Sequence, residues 1–382
     1  MDNSQKILIS GGAGFIGSSL ALRLIELKHS VRVLDNLSVQ IHGNDAETSS
    51  PLYLSIKNKV EFIKGDVNNR SDWEKAIEGI DVIVHLAAET GTGQSMYRIE
   101  KYSHVNSDGT ALMFDVLVNQ PNTVKKVVLA SSRAVYGEGK YEHPDLGIIY
   151  PKSRNPKDME DGIFNLMGDD GKILKPLPTD EDSKISPASV YAVTKFNQEQ
   201  LTETVCDSIG IDYVILRYQN VYGAGQSMKN PYTGILSVFS TQIISSKKIN
   251  VFEDGLPSRD FVEVSDVVEA TVRSIFFEKA NRNIINVGTG EPTTVIDVAE
   301  ALMNAFGKRT ELEISGDFRI GDIRYNVADL TKMKQFLDFE PKIRFEEGIK
   351  KYVNWAVRQQ LGENLYEQSL REMNQKGLFR KS

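Results

Sequence analysis

Apolar positions run along the first half of the chain in two alternating periods. Residues 7–9 (Ile-Leu-Ile) are continuously apolar, and beyond Gly11 the residues Leu20, Leu24 and Leu27 recur at helical spacing between Arg23, Glu26 and Lys28. Further apolar runs lie at 31–34, 60–63, 81–86, 126–130 and 213–217, and helical patterns cover 102–118 and 189–209. Short apolar strands alternating with amphipathic helices predict an α/β fold, a doubly wound parallel sheet covered on both faces. After Tyr218 the pattern shortens to a strand at 249–252, helices at 266–277 and 295–306, and loops rich in Gly, Pro and Asp. This predicts a smaller C-terminal α/β domain that closes over a ligand. The expected division is 1–217 and 218–382, with segments near 259–280 returning to the first domain. Residues 138–188 show no period, and a structureless loop of that length is uncommon. They are expected to be a partly ordered insertion, and the lone His143 within them does not suggest a metal site.

The join between the first strand and helix carries the most chemistry. It reads Ser-Gly-Gly-Ala-Gly-Phe-Ile-Gly, with glycines at 11, 14 and 17. Gly11 suits the positive φ of a tight turn, Gly14 lets backbone approach a pyrophosphate, and Gly17 lets helix pack on sheet. The helix start offers free N–H groups and the positive end of its dipole to phosphate oxygens. The second strand ends at Asp35, where a carboxylate accepts from a ribose 2′-hydroxyl and repels a 2′-phosphate. The fold is therefore expected to be of the Rossmann type, with NAD preferred to NADP. Gly11, Asp35, Asp66, Ala87 and Ser131 all fall at strand carboxyl ends, where such sheets bind ligands. The candidate cofactor residues are Gly11, Gly14, Phe15, Ile16, Gly17, Asp35, Asn36, Asp66, Val67, Leu86, Ala87 and Ala88, joined by Tyr191 and Lys195.

Charge and composition narrow the partners. A net charge of −7 without a basic cluster argues against nucleic acid and anionic membrane surfaces. The single cysteine, Cys206, excludes an internal disulfide and a cysteine metal site. No apolar run reaches membrane-spanning length, and the first strand starts so close to Met1 that no signal peptide is expected. A cytoplasmic protein follows as the expectation.

Tyr191 and Lys195 stand four apart in a predicted helix and share a face. An ammonium beside a phenol favours the phenolate, which could take a proton from a sugar hydroxyl while hydride leaves the same carbon. Ser132 could hydrogen-bond the same oxygen. The G-x-x-G-x-x-G spacing, Tyr191-Ala-Val-Thr-Lys195 and Ser131-Ser132-Arg133-Ala134-Val135-Tyr136-Gly137 resemble the extended short-chain dehydrogenase/reductase family, the nucleotide-sugar epimerases and dehydratases, from about Lys6 to Trp355. The resemblance implies an NAD-dependent enzyme with Ser132, Tyr191 and Lys195 as catalytic residues. The dehydratases carry an Asp-Glu pair just after the Ser or Thr, whereas this chain has Arg133-Ala134. Dehydration therefore lacks its acid and base, and a redox-neutral 4-epimerase working through a 4-keto sugar is expected.

The same resemblance implies a nucleotide-diphosphate-sugar substrate and sites for it. Asn220 falls in R-Y-x-N-V-Y-G, with Gln219 where the family more usually has Phe; Arg259 falls in R-D-F and Arg324 in G-D-x-R. Arginine suits phosphate because its fork donates two parallel hydrogen bonds. Val251 and Phe252 are expected beside the nucleobase, and Glu89, Thr90, Thr92, Ser132 and Arg133 beside the sugar. The run from Glu89 to Ser95, with Tyr218 to Gly223 and Asn230-Pro231-Tyr232-Thr233-Gly234-Ile235, resembles the dTDP-L-rhamnose 4-epimerase branch, which interconverts dTDP-L-rhamnose and dTDP-6-deoxy-L-talose. The family also implies a homodimer through helices 102–118 and 189–209. A UDP-hexose 4-epimerase, a decarboxylase or a reductase on the same scaffold, and a non-catalytic dinucleotide sensor, stay open at this point.

Overall fold

The computed structural model of the chain describes residues 4–228, 234–359 and 365–380. Its main sheet has seven parallel strands: β1 (Lys6–Ser10), β2 (Ser30–Asp35), β3 (Glu61–Lys64), β4 (Val82–His85), β5 (Lys126–Ser132), β6 (Asp212–Tyr218) and β7 (Asn283–Val287), in the spatial order β3-β2-β1-β4-β5-β6-β7. The order reverses between β1 and β4, the crevice where doubly wound sheets bind ligands. Register brings Ser10 level with Leu34 and His85, and Ser132 level with Tyr218, so the carboxyl ends line one edge.

Alternate side chains of each strand feed two cores, as the pleat requires. Ile7, Ile9 and Val128 join Leu20, Leu24, Val267 and Ile275 on one face, where helix Phe15–Glu26 packs with helix Val264–Phe276. Leu8, Val127 and Leu129 join Trp73, Phe114, Leu117 and Cys206 on the other, beneath helices Arg70–Ile77, Gly109–Asn119 and Val190–Ile209. Helix Val190–Ile209 starts where expected because the Ser189 hydroxyl caps the Ala192 amide, and it ends at Gly210 in the left-handed region. No helix of the described residues is long and apolar enough to cross a membrane.

Three features differ from the periodicity. The expected helix 102–118 begins at Ile99, and its turn Ser103–Asp108 widens to a π-helix before Gly109–Asn119. The widened turn carries the buried Asn106, used below. Residues 138–188 are ordered: strands Tyr141–His143, Gly147–Ile149 and Lys175–Pro176 form an antiparallel sheet, and Tyr141, Leu166 and Leu174 make a small core. Strands of two or three residues are too short to show a period. Within this insertion His143 Nε2 lies 3.0 Å from Asp170 Oδ1, and Lys172 pairs with both Asp145 and Asp170. The chain's last described stretch, helix Leu365–Gln375 and strand Phe379–Arg380, folds back so that the strand pairs with Phe318–Arg319.

A further core gathers helices Ile235–Ile244, Val295–Phe306 and Phe345–Ala356 around Phe239, Leu302 and Tyr352. Helix Val295–Phe306 starts at a capping box, with the Thr294 hydroxyl and the Asp297 carboxylate each taking the other's backbone amide.

Candidate active site

A cavity of about 520 Å³ opens at the carboxyl edge of the sheet, and the glycine turn forms its floor. Gly11 has φ +71°, and a Cβ there would lie 2.7 Å from the Ala87 amide nitrogen. A Cβ on Gly17 would lie 2.4 Å from the Gly11 carbonyl oxygen, so only glycine lets the helix sit on the turn. Gly14 caps helix Phe15–Glu26 without a side-chain hydrogen bond, leaving the first amides free toward the cavity. Asp35 closes the far side. Its carboxylate accepts from the Ala13 amide at 2.9 Å and the Leu37 amide at 2.8 Å, with His42 Nε2 3.9 Å away. Burial pushes the Asp35 pKa up, against the pull of the two amides and His42. A bare glycine turn, a free helix start and a buried acid at the second strand's end fit a dinucleotide with an unphosphorylated ribose.

Of the other expected cofactor residues, Phe15, Ile16, Asn36, Val67, Leu86, Ala87 and Ala88 line the cavity. Asp66 does not; its carboxylate is taken up by Asn36 Nδ2 at 3.0 Å and the Asn68 amide at 2.9 Å. Sequence reasoning missed His42, which lines the cavity beside Asp35, and Asn106. The buried Asn106 side chain accepts from the Glu89 amide at 2.8 Å and donates to the Glu89 carbonyl and the Thr194 hydroxyl. It ties the loop carrying Glu89, Thr90 and Thr92, all on the cavity wall, to the helix carrying Tyr191. No local pattern marks an asparagine inside a helix as such a tie.

Ser132, Tyr191 and Lys195 line the cavity together. The Ser132 hydroxyl accepts from the Ala134 amide at 3.2 Å and stands close enough to the Tyr191 phenol to lower its pKa. Lys195 Nζ donates to the Ala130 carbonyl at 2.8 Å. Burial pushes Lys195 down to about 7, with Glu199 pulling the other way. Burial also raises the Tyr191 pKa, while Ser132 and the charge of Arg133 lower it. This differs from the expectation that Lys195 lowers it: in the free protein desolvation outweighs every favourable neighbour, and the cation that acts on the phenol is Arg133. Behind the site, Glu199 and Arg217 form a buried bidentate pair at 2.9 and 2.7 Å, and the Ser131 hydroxyl also bonds Glu199. His85, one layer below, is held between Ser10 and Thr110 and pushed down to about 3 by burial.

The expected substrate residues divide. Arg133 and Asn220 line the cavity, as does Gln219, whose side-chain amide is buried without a hydrogen-bond partner among the described residues. Arg259, Arg324, Val251 and Phe252 are not on the cavity wall. Arg324 forms a bidentate pair with Asp254 at 2.6 and 2.7 Å and bonds Asn165 as well. Arg259 donates to the carbonyls of Ser258 and Ile323 at 2.9 and 2.7 Å. Val251 is fully buried in the core of the C-terminal region, and the Phe252 ring lies beneath the Arg319 guanidinium, 5.2 Å from its centroid, and beside Phe379. The quoted residues Asn230, Pro231, Tyr232 and Thr233 lie outside the described residues.

The description of the NAD dependent epimerase/dehydratase family matches residues 7–156 and 166–288. The chain belongs to this family. NAD is its cofactor, and it is an enzyme of the isomerase class. Among curated relatives, a dTDP-L-rhamnose 4-epimerase of Burkholderia thailandensis is 35% identical over 360 residues, 94% of this chain and 96% of that one. A UDP-glucuronate 4-epimerase of Thermodesulfobacterium geofontis is 30% identical over 359 residues, 91% of this chain and 95% of that one. Among solved structures, the UDP-glucose 4-epimerase of Thermotoga maritima with UDP-glucose superposes with a TM-score of 0.73 at 27% identity, covering 92% of this chain and 99% of that one.

Proposed function

We propose that this epimerase acts on a nucleotide-diphosphate sugar at C4 and interconverts dTDP-L-rhamnose and dTDP-6-deoxy-L-talose through a 4-keto sugar. The observation that carries the reaction type is the set Ser132, Tyr191 and Lys195 on one cavity wall, followed by Arg133-Ala134 in place of a carboxylic pair. The likeness to the Burkholderia enzyme over 94% of the chain supports the choice of sugar and base.

The protein's part in the chemistry follows from those positions. Tyr191 takes the proton of the C4 hydroxyl and later returns one to the same oxygen. Ser132, on the same cavity wall as Tyr191, bonds the oxygen that changes charge. Bound NAD supplies a reversible hydride acceptor. Lys195, held by the Ala130 carbonyl, lines the same wall, and Asn106 keeps the Glu89–Thr92 loop at a fixed distance from the Tyr191 helix. Inversion requires the keto sugar to turn over before hydride returns to its other face.

The test is dTDP-L-rhamnose in deuterated water, followed by NMR. A 4-epimer with no solvent deuterium at C4 is expected. Deuterium at C3 or C5 would mean enolisation and would overturn the mechanism, and turnover of UDP-hexoses alone would overturn the choice of substrate.

A further inference from the structure

His42 stands where the cavity wall meets the end of β2, and the epimerase chemistry leaves it unused. It closes the short helix Val39–His42, and the segment around it brings Gln40, Ile41, His42 and Leu52 to the cavity wall. Its side chain is 2% exposed, and its two ring nitrogens have different surroundings. Nδ1 lies 2.7 Å from the Ser50 hydroxyl. Nε2 makes no hydrogen bond with the described residues; Asp35 Oδ1 is 3.9 Å from it, beyond hydrogen-bond reach.

Ser50 decides which nitrogen carries the hydrogen. Its buried hydroxyl caps helix Pro51–Ile56 by accepting the Tyr53 amide, so its own proton needs an acceptor, and Nδ1 is the one the structure offers. Burial holds the imidazole below the ordinary histidine pKa, against the pull of Asp35, so at neutral pH the ring is uncharged and has a single N–H. With Nδ1 accepting, that hydrogen is on Nε2, on the side of Asp35.

Asp35 has the matching capacity. Oδ1 accepts the Leu37 amide and Oδ2 the Ala13 amide, and each oxygen keeps a second lone pair. A donor and an acceptor 3.9 Å apart, with no bond between them, are joined by one oxygen that accepts from the first and donates to the second. A hydroxyl does both at once. A phosphate ester oxygen does not, because it has no proton for the carboxylate.

We infer that His42 is a cofactor-binding residue whose Nε2 donates to the adenosine ribose 2′-hydroxyl, the same hydroxyl that donates to Asp35, and that Ser50 is the positioning residue that sets its tautomer. The inference rests on NAD as the cofactor and is independent of the sugar. It makes the selection against NADP twofold. Asp35 repels the added charge, and the His42–Asp35 pair demands a group with both a proton and a lone pair.

Calorimetry on the full-length protein, stripped of NAD, tests this with NAD, 2′-deoxy-NAD and 3′-deoxy-NAD, each altered in the adenosine ribose. His42→Phe should weaken NAD by about 3- to 10-fold, the worth of one neutral hydrogen bond, and should bind 2′-deoxy-NAD within about twofold of the wild type. The loss with 3′-deoxy-NAD should match the loss with NAD. His42→Gln, which keeps an N–H at nearly the same reach, should recover part of the NAD affinity. Ser50→Ala, which frees the ring to change tautomer, should weaken NAD by a smaller factor. Should His42→Phe fail to fold, Ser50→Ala carries the same comparison, since its loss should likewise vanish with 2′-deoxy-NAD. If His42→Phe weakens all three cofactors equally, the ring only shapes the pocket and the assignment is wrong. A loss that persists with 2′-deoxy-NAD and vanishes with 3′-deoxy-NAD would put the donor on the other hydroxyl and would equally overturn it.

Discussion

Replacing Lys195 with methionine should make the cofactor-free protein more stable while abolishing most of its activity. The side chain is 3% exposed, and its ammonium has the Ala130 carbonyl as its hydrogen-bond acceptor. Its pKa falls from 10.5 to about 7. At ~1.4 kcal/mol per tenfold change in acidity constant, keeping that ammonium charged in the fold costs about 5 kcal/mol. Below pH 7 both folded and unfolded chains carry the proton, and the whole cost is felt. Between pH 7 and 10.5 the unfolded chain binds more protons than the folded one, so wild-type stability rises with pH. At pH 9 the remaining cost is that of deprotonating the lysine, about 2 kcal/mol. Methionine has nearly the same length and no charge to desolvate, and it forfeits one hydrogen bond worth about 1 kcal/mol. The gain of Lys195→Met over wild type should therefore be several kcal/mol at pH 6 and should shrink by about 3 kcal/mol at pH 9. Urea unfolding of both proteins, stripped of NAD, at the two pH values measures it. A destabilised variant, or a difference independent of pH, would refute the reasoning. Turnover of the loaded variant should fall by roughly 10²-fold or more, since Lys195 shares the cavity wall with Tyr191 and Ser132.

Tyr191→Phe should lower kcat by roughly 10²- to 10⁴-fold with nucleotide-sugar affinity nearly unchanged, as read by steady-state kinetics and calorimetry. Asp35→Asn removes the charge that disfavours a 2′-phosphate, so the preference for NAD over NADP in binding should fall by about tenfold or more. The same variant should lose about 1–3 kcal/mol of stability, because an amide can accept from only one of the Ala13 and Leu37 N–H groups. Arg217→Met strands the fully buried Glu199 carboxylate and should cost about 3–5 kcal/mol in chemical denaturation. Ile99, Val118 and Val193 are each more than half exposed on the helices expected to pair two copies, so sedimentation at micromolar concentration should show a homodimer; a monomer alone would count against it.

Where local rules suffice, the sequence was readable. The glycine turn needs a positive φ and two close backbone approaches, and each demand names a glycine at a definite spacing. The strands β1, β2, β4, β5 and β6 are apolar on both faces, so their existence and parallel order follow from the run of side chains alone. Tyr191 and Lys195 share a face because they are four apart in a helix whose cap, Ser189, is itself legible. The insertion was not readable, because its strands of two or three residues are held by pairing across the hairpin and by Tyr141, Leu166 and Leu174 meeting from distant positions. Strand β7 escaped for a related reason: it joins the sheet beside β6 only after the chain has passed through the second region.

The arginines show the same boundary in the site. Motif position assigns Arg259 and Arg324 to phosphate equally well, and spacing cannot say which guanidinium is free. That depends on Asp254, 70 residues from Arg324 in sequence, and on the carbonyls of Ser258 and Ile323. The Tyr191 pKa likewise depends on how much water the assembled walls remove, set against the charge of Arg133. Backbone conformations, the strand–helix alternation and the types of chemical group could be read from the chain, because neighbours a few residues apart settle them. Which charges are spent on one another and which face the cavity emerges from the packed fold, because desolvation and ion pairing are properties of groups brought together from anywhere in the chain.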